Sequence, residues 1–349
     1  MRLRTFESFW LLKNGLLYTY PTLQKNIKTE ILLIGGGITG ALISDALMDA
    51  GYKVTLIDCR DIGQGSTSAT TSMLQYEIDE PLKDLAQKIG EDGAALCYQE
   101  GIIAIKYLKK LVTTKKIDCG FKMKKSLYIA HNKKAAKELH QEYEMRKKHK
   151  LGVKWLEPDV IKKTYGIVSQ GGTLSETAAS VDAYKMAHEL IAFNVKRGMK
   201  VFDQTEIKSI EDQGTTPKII TKENHTITAK KIIFCTGFET VNLLKEKVAE
   251  LIYTYATVSE PTQTYNKNLE NILIWNTQDP YLYMRTTDDG RFLVGGEDSE
   301  YKDTILQQNI KEEKSKTLVK KLEKTIPKLH FIEDISWGGV FGTTKDGLP

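Results

Sequence analysis

The sequence predicts an α/β fold: a doubly wound, Rossmann-like dinucleotide-binding domain carrying an α+β domain built on an antiparallel sheet. Three observations predict it. An apolar run, Ile31 to Ile34, leads into Gly35-x-Gly37-x-x-Gly40. A helical pattern from Ala41 to Ala50, ended by Gly51, brings the chain to a second apolar run, Val54 to Ile57, that closes on Asp58. Later, Ile252 to Glu260, Ile272 to Ile274, Tyr281 to Thr286 and Arg291 to Gly295 read as strands of a second, antiparallel sheet, with Asp288-Asp289-Gly290 as a hairpin turn.

Each part of the first unit has a physical task. Short continuous apolar runs suit parallel strands buried on both faces. Gly35 permits the turn, Gly37 lets a pyrophosphate approach the backbone, and Gly40 lets helix and strand pack closely. The helix start, with Ile38 and Thr39, offers free N–H groups to phosphate. Asp58 lies about 20 residues past the glycines, where a carboxylate can accept hydrogen bonds from a ribose diol. A glycine-rich turn alone would be weak evidence; strand, glycines, helix, strand and acid in that order point to a dinucleotide site.

The loop that follows, from Cys59 and Arg60 through Ser66, Thr67, Ala69, Thr70, Ser72, Met73, Leu74 and Gln75, is dense in small hydroxyl residues. Read alone it could be a linker. Placed after the ribose acid, its hydroxyls and N–H groups can ring a diphosphate and continue toward the rest of a cofactor. The apolar strand Lys231 to Phe234 ends in Cys235, Thr236 and Gly237, a third backbone approach to the same site.

The chain has 349 residues, more than one hydrophobic core usually serves, so two domains are expected. A formal charge of +5 is modest and calls for no nucleic-acid partner. The charge is uneven: Lys106 to Lys150 holds 15 basic residues against four acids, leaving the rest near −6. Such runs are usually solvated helix faces; the alternative is contact with an anionic partner or a membrane surface. Cys59, Cys97, Cys119 and Cys235 form no CxxC pair and read as reduced thiols of a cytoplasmic protein. The six histidines show no ligand spacing, so no metal is expected. No apolar stretch reaches the roughly 18 residues of a membrane span. Residues 1–26 read as an arm on the folded body, anchored by Trp10 and Tyr18 to Tyr20.

Pro81 to Leu111 reads as two helices broken near Gly90 to Gly93, Phe121 to Ala130 as a strand, Lys133 to Lys150 as a charged helix, and Trp155 to Tyr165 as a helix opened by Pro158. Thr173 to Val181 is extended, Asp182 caps a helix over Ala183 to Lys196, Gly198 ends it, and Val201-Phe202 is a strand. Glu206 to Ile210, Pro217 to Thr221 and Thr226 to Ala229 form a meander. Lys311 to Thr325 reads as an amphipathic helix and Ile335 to Phe341 as the last strand.

Taken in order, these motifs resemble the FAD-dependent oxidoreductases of the D-amino-acid oxidase type, the group of glycine oxidase, sarcosine oxidase and D-amino-acid dehydrogenase. The resemblance runs from about Glu30 to Pro349. It rests on Gly35 to Gly40, Asp58, Ser66 to Ala69 with Met73-Leu74, Ala178 to Asp182, Thr205-x-Ile207, Phe234 to Gly237, Gly290 to Gly296 and Trp337 to Pro349. It implies FAD as cofactor. It also implies a discontinuous FAD-binding domain (27–85, 169–240 and 335–349) and a substrate domain (86–168 and 241–334). By analogy Asp58 binds the adenosine ribose, Ile207 meets adenine through its backbone, and Ala69 to Gln75 approach the flavin ring.

The implied function is oxidation of a C–N bond in a small amine or amino acid. Alternatives are oxidation of a 2-hydroxy acid and a flavin-binding chain without turnover, since relatives continue past the final Pro and a truncated or fragmentary chain is expected. Phe341 stands where relatives often carry an Arg that clamps the substrate carboxylate, and a phenyl ring cannot replace a charged fork. Tyr281, Tyr283 and Arg285 alternate, so they share one face of a strand. Tyr281 matches a Tyr near the substrate carboxylate in glycine-oxidase-like relatives. Arg285 becomes the candidate anion clamp, or else pairs with Asp288, Asp289 or Glu297 at the hairpin.

Overall fold

The computed structural model describes residues 3–5, 7–211, 216–262, 265–301 and 307–348. Met1, Arg2 and Phe6 of the arm and Pro349 of the terminal motif lie outside them. The arm contains β1 (Arg4–Thr5) and α1 (Phe9–Asn14). The strand–helix–strand unit is β2 (Ile27–Ile34), α2 (Ile38–Asp49) and β3 (Val54–Ile57), followed by α3 (Ser66–Ala69) and β4 (Met73–Gln75) in the hydroxyl-rich loop. Next come α4 (Leu82–Ile89), α5 (Glu91–Lys115), β5 (Lys122–Ile129), α6 (Lys133–Lys148), β6 (Val153–Leu156) and α7 (Pro158–Tyr165). The chain continues with β7 (Gly172–Ser180), α8 (Ala183–Lys196), β8 (Lys200–Phe202), β9 (Ile207–Glu211), β10 (Lys218–Thr221) and β11 (Thr226–Phe234). Last are β12 (Ala249–Ser259), β13 (Ile272–Asn276), β14 (Leu282–Thr286), β15 (Phe292–Glu300), α9 (Gln307–Thr325) and β16 (Glu333–Thr344).

One sheet has the order β8-β3-β2-β11-β10-β9, parallel through β11 and antiparallel beyond it. Its centre is apolar on both faces, as the continuous runs require. Ile31, Leu33, Val54 and Leu56 pack against α2 and α8, while Leu32, Ile34 and Ile57 face Leu23, Ile219 and Ile227. Leu32, Leu33, Leu56 and Ile57 are each fully buried, contributing roughly 1.5–3 kcal/mol apiece. The Asp182 side chain accepts from the Lys185 N–H and caps α8, as its position in the sequence predicts. Buried Asp45 on α2 accepts from Lys115 at 2.6 Å and from Asn194 at 3.0 Å, tying α2 to α5 and α8.

The other sheet has the order β1-β16-β12-β15-β14-β13-β5-β7-β4, with β6 paired to β7. It differs from the sequence reading in three ways. It is mixed rather than purely antiparallel, because β13 runs parallel to β5. It includes β4, β7 and β16, whose segments fall, by sequence, in the dinucleotide-binding domain; pairing partners far apart in sequence decide membership, and composition does not record them. Trp155 lies in the short strand β6 and not in a helix, which begins only at Pro158. Leu318, Leu322 and Ile326 of α9 close one side of this sheet's core. The arm is anchored as expected by Trp10, 1 % exposed, and also adds β1 beside β16. Tyr18 is exposed, donating to Glu189 and lying beside the His188 ring.

Candidate active site

A cavity of about 1120 Å³ runs between the two sheets. That exceeds the ~300–1,000 Å³ of sites for drug-sized ligands, so it accommodates a dinucleotide with space beyond. At one end it is lined by Gly35, Gly37, Ile38, Thr39, Asp58, Cys59, Arg60, Ile207, Cys235, Thr236 and Gly237. Its middle is lined by Ser66, Thr67, Ala69, Thr70, Ser72, Met73, Leu74 and Gln75. Tyr281, Tyr283 and Phe341 line it as well. Of the residues nominated from sequence, Gly40 and Arg285 stand outside the lining.

The nucleotide end is made by close backbone approach. Gly35 has φ +112°, and a Cβ there would sit 2.3 Å from the Cys235 carbonyl oxygen. At Gly40 a Cβ would sit 1.9 Å from the Gly35 carbonyl oxygen, so this glycine packs helix against turn and does not face the cavity. Gly37 is the N-cap of α2, and the Thr67 hydroxyl accepts from the next N–H, Ile38, at 3.0 Å. The Asp58 carboxylate accepts from Gly36 N–H at 2.7 Å and Arg60 N–H at 2.8 Å. Burial pushes its pKa up, and the two N–H groups oppose that shift. A carboxylate offers about four lone-pair sites, so acceptors remain for a ribose diol. The chemistry and spacing of this end fit FAD.

Three consecutive carbonyls of the middle loop are held from behind. Trp337 Nε1 donates to Ala69 O at 2.7 Å, Trp10 Nε1 to Thr70 O at 2.6 Å, and Arg285 Nε to Thr71 O at 2.8 Å. Arg285 also reaches Val181 O, stacks over Trp10 and is 3 % exposed. Neither sequence reading of Arg285 matches these contacts: its guanidinium is engaged by the Thr71 and Val181 carbonyls and does not line the cavity. The hairpin acids are engaged elsewhere: Asp288 with Lys13, Asp289 with Arg291, and Glu297 with Lys314 and Lys321. Alternation along the strand could not show that Arg285 would be taken up by these carbonyls. Burial lowers its pKa to about 10.

The far end joins Tyr281 and Tyr283 to side chains that the sequence did not single out. Tyr281 Oη donates to Asp79 at 3.4 Å, its ring lies 5.7 Å from that of Tyr283, and Tyr283 Oη is 3.0 Å from Thr254 Oγ1. Glu77, Asp79, Trp275 and Asp298 complete this end. Glu77 is paired from behind with Arg146, at 3.5 Å, and Arg146 with Glu142 at 2.6 Å. Asp298 arrives through a bulge: the β12–β15 register shifts between Tyr253 and Tyr255, where Gly296 and Glu297 have φ of 139° and 60°. The extra residue sends Glu297 toward α9 and Asp298 into the cavity. Gly295-Gly296 followed by two acids was the available signal for it.

The Lys106 to Lys150 run is mostly solvated on α5 and α6, with Lys115 and Arg146 drawn into ion pairs. Among the described residues no helix is long and apolar enough to cross a membrane, and no group of three or more His, Cys, Asp or Glu is placed to hold a metal. Burial pushes the Cys119 and Cys235 thiols up to about 11, so both stay protonated.

The profile of the family described as FAD dependent oxidoreductase (DAO) matches residues 30–349. A Bacillus subtilis protein, YhfW, named for a Rieske 2Fe-2S centre, is 28 % identical over 66 % of this chain, a match that spans 44 % of that protein's length. Gamma-glutamylputrescine oxidoreductase of Escherichia coli is 22 % identical over 95 % of this chain and 78 % of its own. The crystal structure of glycine oxidase from Geobacillus kaustophilus superposes with a TM-score of 0.76 at 17 % identity, covering 92 % of this chain and 85 % of that one, a likeness of fold. The chain belongs to the FAD-dependent oxidoreductase (DAO) family and is an oxidoreductase with FAD as its cofactor.

Proposed function

We propose that the protein oxidises a C–N bond of a small amine or amino acid. The observation that carries this reading is the continuity of the cavity, which passes from the nucleotide end along the middle loop into a pocket of phenols and carboxylates. Bound FAD supplies the hydride acceptor. The substrate carbon gives up a hydride and its nitrogen a proton, leaving an imine that water hydrolyses. In this reading the loop from Ala69 to Thr71, braced by Trp337, Trp10 and Arg285, positions the cofactor, and Tyr281 and Tyr283 orient the substrate. Thr254 fixes the Tyr283 hydroxyl, and Asp79 that of Tyr281. Two of the relatives described above bear names that specify an amine or an amino acid, which supports the C–N assignment.

The test is anaerobic bleaching of the FAD-loaded protein by a panel of amines, amino acids and 2-hydroxy acids. Bleaching by C–N substrates supports the reading, and bleaching by hydroxy acids alone overturns it. Because Arg285 braces the loop, Arg285→Leu is expected to slow an amine and a matched amino acid equally while loosening FAD. A loss confined to the carboxylate-bearing substrate would restore the clamp.

A further inference from the structure

We propose that the arm is a strap for the cofactor: Trp10 is a positioning residue that holds the Thr70 carbonyl from behind, and docking of the arm and retention of FAD are coupled. The inference goes beyond the C–N reading above and does not depend on which substrate is oxidised.

The arm's own sequence gives it little reason to be ordered. It precedes the part of the chain that the family profile matches, and α1 has six residues, well short of the roughly 12–15 that an isolated helix needs in water. Terminal segments of this kind stay loose unless side chains tie them down. Here Phe9 and Trp10 are 2 % and 1 % exposed and share one cluster with Tyr184 of α8, Val258 of β12, Leu293 of β15 and Trp337 of β16. Polar contacts extend the tie. Lys13 pairs with Asp288 at the β14–β15 hairpin, and Asn14 Nδ2 donates to the carboxylate of Asp182, the α8 cap, at 2.7 Å. Beyond α1, the Tyr20 N–H donates to Asp203 at 2.8 Å and the Leu23 N–H to the Thr205 hydroxyl at 3.1 Å, both just past the end of β8. The arm therefore runs from the mixed sheet to the parallel one.

Its main contact with the cavity is through the middle loop, and that is what couples it to the cofactor. Thr70 and its neighbours Ala69 and Thr71 line the cavity, while the Thr70 carbonyl accepts from Trp10 Nε1 at 2.6 Å. The loop is thus a single layer between Trp10 and the cavity. Leu3, itself in the lining, accepts the Val340 N–H through its carbonyl at 2.9 Å and so seats the start of the arm on β16. An indole N–H can only donate, so withdrawing the loop would strand the Trp10 N–H in an apolar cluster, which is costly. Arg285 makes the same connection a second time: it stacks over the Trp10 ring at 5.3 Å and donates to the next carbonyl, Thr71 O. A ligand that orders the loop from the cavity side therefore favours the docked arm, and by reciprocity the docked arm favours the ligand.

The experiment is hydrogen exchange of the protein with and without FAD, comparing the arm with α7, none of whose residues lines the cavity, as an internal reference. The coupling predicts that FAD slows exchange in the arm about tenfold or more relative to α7, the factor that about 1.4 kcal/mol of coupling produces. Equal slowing in the two, or none in the arm, overturns it. The reciprocal measurement is release of FAD, followed by the fluorescence of the freed flavin. Trp10→Phe keeps a ring in the cluster and removes the donor, so FAD should leave about three- to tenfold faster, the factor of one hydrogen bond. A release rate equal to that of the wild type overturns the proposal even if the variant melts lower, because a merely structural tryptophan would lower the stability of apoprotein and loaded protein alike. Neither measurement uses a substrate, so failure here leaves the C–N reading untouched.

Discussion

At the nucleotide end of the cavity the ligand-facing groups are backbone N–H groups and short side chains, fixed where β2, β3 and β11 end together. At the far end they are carboxylates and phenols carried on β14, β15 and the chain beyond β4, and held by a buried network behind them. The first kind of site depends on how closely main chains can approach, so its sensitive positions are Gly35 and Gly40. The second depends on charges compensating one another out of water, so its sensitive positions include residues that never touch the ligand.

The largest expected effect tests that second dependence. Arg146 is 0 % exposed and pairs with Glu142 and Glu77, and Glu142 also accepts from the Leu82 and Lys83 N–H groups at the start of α4. Arg146→Leu leaves two buried carboxylates uncompensated and is expected to cost about 3–5 kcal/mol in a denaturant melt. Adding Glu142→Gln and Glu77→Gln should recover part of the loss. A single-variant cost below about 1 kcal/mol would show that packing, not the ion network, supports the far end.

A pH effect comes next, on the nucleotide side. His188 on α8 is fully buried against Tyr184, and burial lowers its pKa from 6.5 to about 4. The neutral ring's contribution is complete above about pH 6.5 and is lost as the pH falls toward 4, because in that window the unfolded chain binds a proton that the folded one refuses. The difference amounts to roughly 3 kcal/mol across the window. His188→Gln should flatten the acid limb of the stability–pH curve between those values, and an unchanged limb would mean that carboxylates alone set it.

Asp58→Ala comes third. Removing the ribose acceptor should weaken FAD by roughly 1–3 kcal/mol, read by equilibrium titration of the apoprotein. Unchanged affinity would put the ribose elsewhere.

How legible each end was in sequence follows from the same contrast. Gly35, Gly37, Gly40 and Asp58 lie within one contiguous strand–helix–strand, where local backbone geometry decides function and spacing records it. Glu77 and Arg146 are far apart in the chain and meet only through the packing of α4, α5 and α6; no local pattern announces that. The alternation of Tyr281 and Tyr283 agrees with both lining the cavity, yet it could not show that Arg285 would be taken up by the Thr71 carbonyl. The sheet membership of β7 and β16 failed to show for a similar reason, since register is set by partners that lie beyond other intervening elements of the chain.

The smallest expected effect sharpens the account of the nucleotide end. Thr67 is 8 % exposed, and its hydroxyl accepts from Ile38 N–H at 3.0 Å, one of the N–H groups that a helix start leaves without an intrahelical partner. Thr67→Val keeps the branched shape but removes the acceptor, so the apoprotein should lose about 1 kcal/mol. If the helix start also serves a pyrophosphate, the freed N–H finds a new acceptor when FAD is bound, and the loss should shrink in the loaded protein. Melts of variant and wild type with and without FAD read both numbers. A loss of the same size in each state would mean that this N–H belongs to Thr67 alone and that the phosphates are held by the neighbouring backbone of Gly37 and Thr39.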